Sequence, residues 1–291
     1  MTSETQPGDR RQTIRLGIST CPNDTFAFSA LIDQRVDWRG LNFEIDLIDI
    51  QQLNDRLFRG DFDVAKTSFH AALRMTDTTV VLPSGSALGF GVGPLLLAAS
   101  PQRSPGDFGS INLCPGQHTT AALLFTLFYP DAVPAQHCVF SDIMPRLVQG
   151  TADFGVCIHE GRFTWADQGL HLVEDLGTRW EQATDSPLPL GGIVANRALG
   201  DDIIGLVQSV IHDSLRVAMA DPASALQTMR QYAQEMADDV LMQHVDLYVN
   251  QWTIDLGDVG RESLNQLSRM AAKIGLTDPG ARSIEVWSPT V

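Results

Sequence analysis

The sequence predicts an α/β protein of two lobes, each a mainly parallel sheet flanked by helices, and three observations carry that prediction. From Thr13 onward, short apolar stretches of strand character alternate with stretches of helical period, the pattern of repeated βαβ units. Two segments about ninety residues apart, LFRGDFDVAKTSF and LVQGTADFGVCIHEGRF, read almost alike: a helix end, a Gly stop (Gly60, Gly150), an Asp three residues on, and an apolar strand that breaks into polar groups. Finally, two Pro/Gly-introduced apolar strands, GPLLLAAS and LPLGGIVANR, bracket the middle third, as the crossings into and out of an inserted lobe would. A chain of 291 residues is long for one core and comfortable for two.

In order, the first lobe reads strand IRLGIS, helix TFAFSALID, strand NFEIDLIDI, helix QQLNDRLF, strand DVAKTS, helix FHAALRM and strand TVVLPS. After the Gly-rich link SGSALGFGVG come PLLLAAS, SINLCPG, helix TTAALLFTLFY, strand HCVFS, helix DIMPRLVQG and the strands FGVCIHE and HLVEDLG. Beyond LPLGGIVANR the chain is helical to near Gly275, with apolar residues recurring three and four apart, as in IIGLVQSVI. Those helices read as a cover packed on the first sheet, with no chemistry assigned. The expected lobes are 1–98 with 193–291, and 99–192 between them.

Composition limits the function. Hydrophobic residues at 44% and charged residues at 19% are ordinary for a globular protein. A formal net charge of −15 disfavours a nucleic-acid partner, which needs clustered Lys and Arg, and none is expected. The start, MTSETQPGDRRQT, has no apolar run of signal-peptide length, and no uninterrupted apolar stretch approaches the ~20 residues of a membrane span. A cytoplasmic protein without membrane attachment is expected. The four cysteines are widely spaced with no CxxC, so neither a zinc knuckle nor a disulfide framework is expected. No GxGxxG, GxxxxGK[ST] or GxSxG is present, and the HExxH reading fails because Phe163 stands where the second His belongs.

Ligands of open α/β sheets collect beyond the carboxyl ends of parallel strands, so the two matched strand ends are the candidate site. His159 ends the second; His is the side chain best suited to exchanging a proton near neutral pH. Glu160, Gly161 and Arg162 follow it and can orient the ring or close the crevice. Lys66, Thr67 and Ser68 end the first and can hold a carboxylate or hydroxyl, while Ser68 can equally cap the helix FHAAL; both roles can coexist. In CPGQHTTAALLF, Thr119 or Thr120 caps a helix whose free N–H groups form an anion site. CPNDTFAF makes a similar helix start, facing the same crevice, and Asn54 sits in the first turn of the helix after NFEIDLIDI. His70 and His118 adjoin these segments, whereas His137, His171, His212 and His244 are read as structural.

Taken in succession, LGISTCPNDTFAFSAL, AKTS, SALGFGVGPLLLA, PGQHTTA, IMPRLVQG, IHEGRFTW and LPLGGIVANR resemble the signature segments of the 1,4-dihydroxy-6-naphthoate synthases of menaquinone biosynthesis, from Ile14 to Leu199. The resemblance implies a type II periplasmic-binding-protein-like fold used as a cytoplasmic enzyme of the futalosine route. It implies a lyase that cleaves cyclic dehypoxanthinylfutalosine to 1,4-dihydroxy-6-naphthoate and dihydroxyacetone without a cofactor or metal. By that similarity His159 is the proton acceptor; Lys66, Thr67 and Ser68 and the pair Thr119 and Thr120 contact a small carboxylate substrate, and Asn54 is carried over with them. Two other readings stand beside it: chorismate dehydratase, of the same pathway and fold, and a solute-binding protein without catalysis.

Overall fold

β1 (Thr13–Ser19), α1 (Pro22–Ile32), β2 (Asn42–Ile48), α2 (Ile50–Phe58), β3 (Val64–Ser68) and α3 (Phe69–Ala72) form the βαβ repeats expected of the first seventy residues. β4 (Thr79–Val81) and β5 (Ala87–Gly89) follow, the latter inside the Gly-rich link. The second sheet is made by β6 (Leu95–Ala98), β7 (Asn112–Cys114), β8 (Gln136–His137), β9 (Phe154–Cys157) and β10 (His171–Asp175). Its helices are α4 (Thr120–Phe128), α5 (Phe140–Val148), α6 (Gly161–Thr164) and α7 (Leu176–Thr184). The chain returns through β11 (Leu188–Asn196) to α8 (Asp201–Ala220), α9 (Leu226–Tyr232), α10 (Asp238–Tyr248), α11 (Gln251–Ile254) and α12 (Gly257–Lys273). The structure, a computed structural model, describes residues 12–158, 161–232, 237–278 and 280–289.

The first sheet has the order β2-β1-β3-β11-β4, with β5 also on β11; the second is β10-β6-β9-β7-β8. β1, β2 and β3 are parallel, and β11 runs against β3, β4 and β5. Likewise β7, β8 and β9 are parallel, and β6 runs against β9 and β10. Each sheet therefore has one strand opposed to the rest, and in each it is the strand adjoining a lobe crossing. Residues 95–98 pair in the second sheet, and residues of 188–192 in the first. A crossing strand pairs in the sheet it has reached.

Two local readings are corrected. The strand expected at HCVFS is only Gln136–His137, because α5 begins at Phe140, after Val139 in extended geometry. The stretch after HLVEDLG contains α7, whose start is fixed by Asp175: its side chain accepts from the backbone N–H groups of Gly177 and Thr178. That is an N-cap of the Asp type. α7 then buries Trp180 fully.

One core lies on each side of the first sheet. Ile14, Leu16 and Ile18 of β1 pack with Phe28 and Leu31 of α1 and with the apolar face of α8, Val207, Val210, Ile211 and Leu215. α1 and α8 are also pinned by Ser214, whose hydroxyl donates to the Ala27 carbonyl (2.8 Å) and accepts from Leu31 N–H (3.0 Å). At the first crossing, Gly93 meets Gly177 backbone to backbone; a Cβ on Gly93 would lie 2.2 Å from the Gly177 Cα, so only glycine permits that approach.

Candidate active site

The carboxyl ends of β1 and β3 and the N-termini of α1 and α4 converge on one cavity of ≈ 120 Å³, lined from both lobes. Of the residues expected from sequence, Lys66, Thr67, Ser68, Thr119 and Thr120 all line it. His159 and Glu160 lie outside the described residues. Ile158 and Arg162, on either side of them in the chain, line the cavity.

On the first lobe the polar groups are tied to one another. Lys66 Nζ donates to Asp24 Oδ1 at 2.7 Å and to the Gly85 carbonyl at 3.1 Å, with both side chains only 5% exposed. The ammonium is thus already matched by a carboxylate. Asn54, fully buried, does not line the cavity but stands behind the strand end. Its Oδ1 accepts from Thr67 Oγ1 (2.9 Å) and Ser68 N–H (3.1 Å), and its Nδ2 donates to Ser68 Oγ (3.1 Å). Ser68 occupies the N-cap position of α3, yet its side chain makes no cap hydrogen bond. Of its two expected roles, capping by the hydroxyl is not realised.

On the second lobe the turn before α4 does the positioning. Thr119 caps α4: its Oγ1 accepts from Ala122 N–H at 3.2 Å and donates to the Gly116 carbonyl at 3.1 Å. Gly116 has φ +88°, a conformation that favours glycine, and its Cα side lies against the Gln51 side chain of α2. Thr120 does not cap; its hydroxyl donates to the Leu190 carbonyl of β11 at 2.5 Å. Two more hydrogen bonds join the lobes beside the cavity, Asn54 Nδ2 to the His118 carbonyl (3.4 Å) and His70 Nδ1 to the Thr119 carbonyl (3.1 Å). The lobes are therefore closed on each other at this edge.

His70 is buried, and because the Thr119 carbonyl only accepts, Nδ1 carries the proton. Burial pushes its pKa down to about 4, against the opposing pull of that hydrogen bond. Burial also lowers His118 and His137. His137, read as remote from the crevice, lines a neighbouring hollow that shares Ile50 and Ile158 with the cavity. Burial raises the Cys114 thiol and pushes that of Cys157 up to about 12, so neither is a reactive thiolate. Among the described residues no three His, Cys, Asp or Glu are grouped to hold a metal ion.

Sequence reasoning missed Tyr248, which α10 brings to the cavity from the helical cover, and the apolar walls Ile50, Val92 and Leu190. Tyr248 belongs to a helix read as having no chemistry; nothing in its period separates it from core. Arg162 lines the cavity with its guanidinium Nη2 donating to the Gly91 carbonyl (3.0 Å) and to Asp175 Oδ2 (3.1 Å).

Comparison with known proteins bears on this geometry. Residues 14–273 match the family described as menaquinone biosynthesis. The 1,4-dihydroxy-6-naphthoate synthase of Thermus thermophilus is 40% identical over 275 residues, covering 94% of this chain and 100% of its own. That of Streptomyces coelicolor is 38% identical over 270 residues, covering 91% and 94%. A solved protein of Archaeoglobus fulgidus superposes with TM-score 0.84 at 30% identity, over 91% of this chain and 98% of its own. The periplasmic aliphatic sulphonate binding protein of Escherichia coli does so with TM-score 0.65 at 14% identity, over 96% and 93%. The fold is that of periplasmic binding proteins.

Proposed function

The chain belongs to the menaquinone-biosynthesis family, and from that premise we propose that it is a cytoplasmic lyase of the futalosine route. It converts cyclic dehypoxanthinylfutalosine to 1,4-dihydroxy-6-naphthoate and dihydroxyacetone; its Thermus and Streptomyces relatives are named for the naphthoate product. The observation that carries the reading is the interlobe cavity, which Ser68, Thr119 and Thr120 from both lobes line together with Ile50, Val92, Ile158 and Leu190. A flat apolar ring with a few polar substituents suits such a lining.

His159 is the base of this proposal. Loss of a proton next to the spiro-linked sugar carbons sets off C–C fission, and the ring left behind becomes aromatic. The step needs proton transfer and positioning, and no external oxidant or reductant. Ser68 and the Thr119–Thr120 helix start hold the substrate, and lobe closure keeps water from the reactive intermediate. No cofactor takes part in the scheme.

The test is to incubate the purified chain with cyclic dehypoxanthinylfutalosine and, separately, with chorismate. Naphthoate and dihydroxyacetone in equal amounts support the proposal. Formation of 3-enolpyruvylbenzoate from chorismate replaces it with the sister dehydratase, and retention of either compound without product replaces it with a solute-binding role. Wild-type turnover by a folded His159→Asn variant would remove His159 from the mechanism while leaving the reaction standing.

A further inference from the structure

We propose that Arg162 is the residue that takes the carboxylate of the substrate, an inference that rests on the reading of the cavity as a site for an aromatic acid. Among the described residues two cations line that cavity, Lys66 and Arg162, and their surroundings differ. Lys66 is a compact ammonium held against the buried Asp24 and a backbone carbonyl. Its charge is matched at contact distance inside the protein, so an incoming carboxylate would also face Asp24 and gain little.

Arg162 is anchored at one nitrogen and unpaired at another. Nη2 is held by Gly91 and Asp175, the two contacts that fix the plane of the guanidinium. Nη1 is sealed from solvent and has no hydrogen-bond partner among the described residues. The side chain is 13% exposed. A buried donor on a charged group that lacks an acceptor is costly, and a carboxylate arriving at Nη1 would supply one. Asp175 does not cancel the attraction as Asp24 does for Lys66. Its Oδ1 is engaged by the backbone N–H groups that start α7, so its charge is shared between that helix terminus and Arg162.

The anchor also explains the placement. Gly91 lies in the first lobe crossing and Asp175 at the end of β10, so the guanidinium is set where the crossing meets the second lobe, beside Val92, Gly93 and Pro94 of the cavity wall. An arene lying along the apolar wall with its carboxylate toward the crossing would lie against the Arg162 side chain, and a small turn of the guanidinium would bring Nη1 to it. A planar fork is the donor geometry that matches a carboxylate.

Binding calorimetry under argon, with 1,4-dihydroxy-6-naphthoate and its 6-carboxamide as probes, tests this without requiring turnover. Wild-type protein is expected to prefer the acid over the amide by about 10- to 100-fold, the range of a charged hydrogen bond. Arg162→Gln should lose that preference, weakening the acid by the same factor while leaving the amide within about 3-fold. Arg162→Lys should retain part of the preference, and Asp175→Asn, which loosens the anchor only, most of it. Equal loss of acid and amide in Arg162→Gln makes Arg162 a structural staple and overturns the proposal, as does an unchanged acid preference. Should Arg162→Gln fail to fold by circular dichroism, Arg162→Lys and the wild-type acid-to-amide ratio decide, and a wild-type ratio near one overturns the proposal. The lyase reading fails by a different result, the absence of naphthoate from cyclic dehypoxanthinylfutalosine.

Discussion

At the end of β3 each polar side chain has a protein partner: Lys66 on Asp24 and Gly85, and Thr67 and Ser68 on Asn54. Across the cavity, α4 begins with a capped but only partly engaged helix terminus, and Arg162 keeps a nitrogen without a partner. The first side is a finished network, rigid before any ligand arrives. The second offers unfilled donors. A network of satisfied groups positions a substrate by shape, while unfilled donors recognise its charge. Breaking the two sides should therefore have different signatures, large stability losses on the first and smaller ones, coupled to binding, on the second.

The largest effect is expected at the Lys66–Asp24 pair. Lys66→Met leaves Asp24 buried and uncompensated, and removal of one partner of such a pair costs about 3–5 kcal/mol. Urea unfolding should show that loss for Lys66→Met and for Asp24→Leu alone, and a much smaller loss for the two together, because apolar replacement of both ends removes the uncompensated charge. A double variant as unstable as the worse single one would mean that the pair is held by Gly85 and its other neighbours, not by mutual charge.

Next is Asn54→Ala. It strands the Ser68 N–H and the Thr67 hydroxyl in a fully buried position, at about 3 kcal/mol for the unpaired groups together. It also removes one of the hydrogen bonds between lobes, to the His118 carbonyl. A shift of the urea midpoint of less than a third of that for Lys66→Met would show that water re-satisfies the strand end and that the first side is less finished than its geometry implies.

How much of this was legible in sequence follows from the range of each interaction. The helix and strand alternation is local, so the βαβ order could be read from periodicity, caps and Gly stops, and with it the strand-end position of Lys66, Thr67 and Ser68 and the helix-start position of Thr119 and Thr120. α7 was not, because its apolar stripe is only Leu176, Trp180 and Ala183 and its start depends on Asp175 acting as a cap. What Lys66 touches was not legible either. Asp24 lies forty-two positions earlier in the chain, and only the β1-β3 pairing brings α1's first turn to it. Asn54 was read as facing the ligand; it faces the strand, since the buried side of α2 points at β3. The sequence marks polar residues near strand ends but not which way each one turns.

His70 reports on the junction between the two sides. Its pKa is lowered to about 4 by burial, from an ordinary value near 6.5. The unfolded chain therefore takes up a proton between pH 6.5 and pH 4 that the folded protein does not. The contribution is fully present above pH 6.5 and is lost as pH falls toward 4, with about 2 kcal/mol of it gone by pH 5. Thermal unfolding at pH 7 and pH 5 should show it, and His70→Gln, which can still donate to the Thr119 carbonyl, should remove most of the difference. An equal loss in the variant would assign the pH dependence to other groups.

The smallest effect is expected at the cap of α4. Thr119→Ala removes the acceptor for Ala122 N–H and the donor to Gly116, a loss of about 1 kcal/mol for an N-cap. Thr119→Ser keeps both hydrogen bonds and should stay near wild type in stability. The two sides of the cavity separate most sharply here, because the Thr119 hydroxyl lies against the same helix start that lines the cavity. In Thr119→Ala the freed Ala122 N–H adds a donor to that terminus while the cap that oriented it is gone. Binding of 1,4-dihydroxy-6-naphthoate should then weaken by more than the modest change in unfolding midpoint accounts for, whereas Asn54→Ala should show the reverse, a large midpoint shift with a smaller change in affinity. If Thr119→Ala and Asn54→Ala lost affinity and stability in the same proportion, the division into a finished wall and an open one would be wrong, and the cavity would behave as a single cooperative network across both lobes.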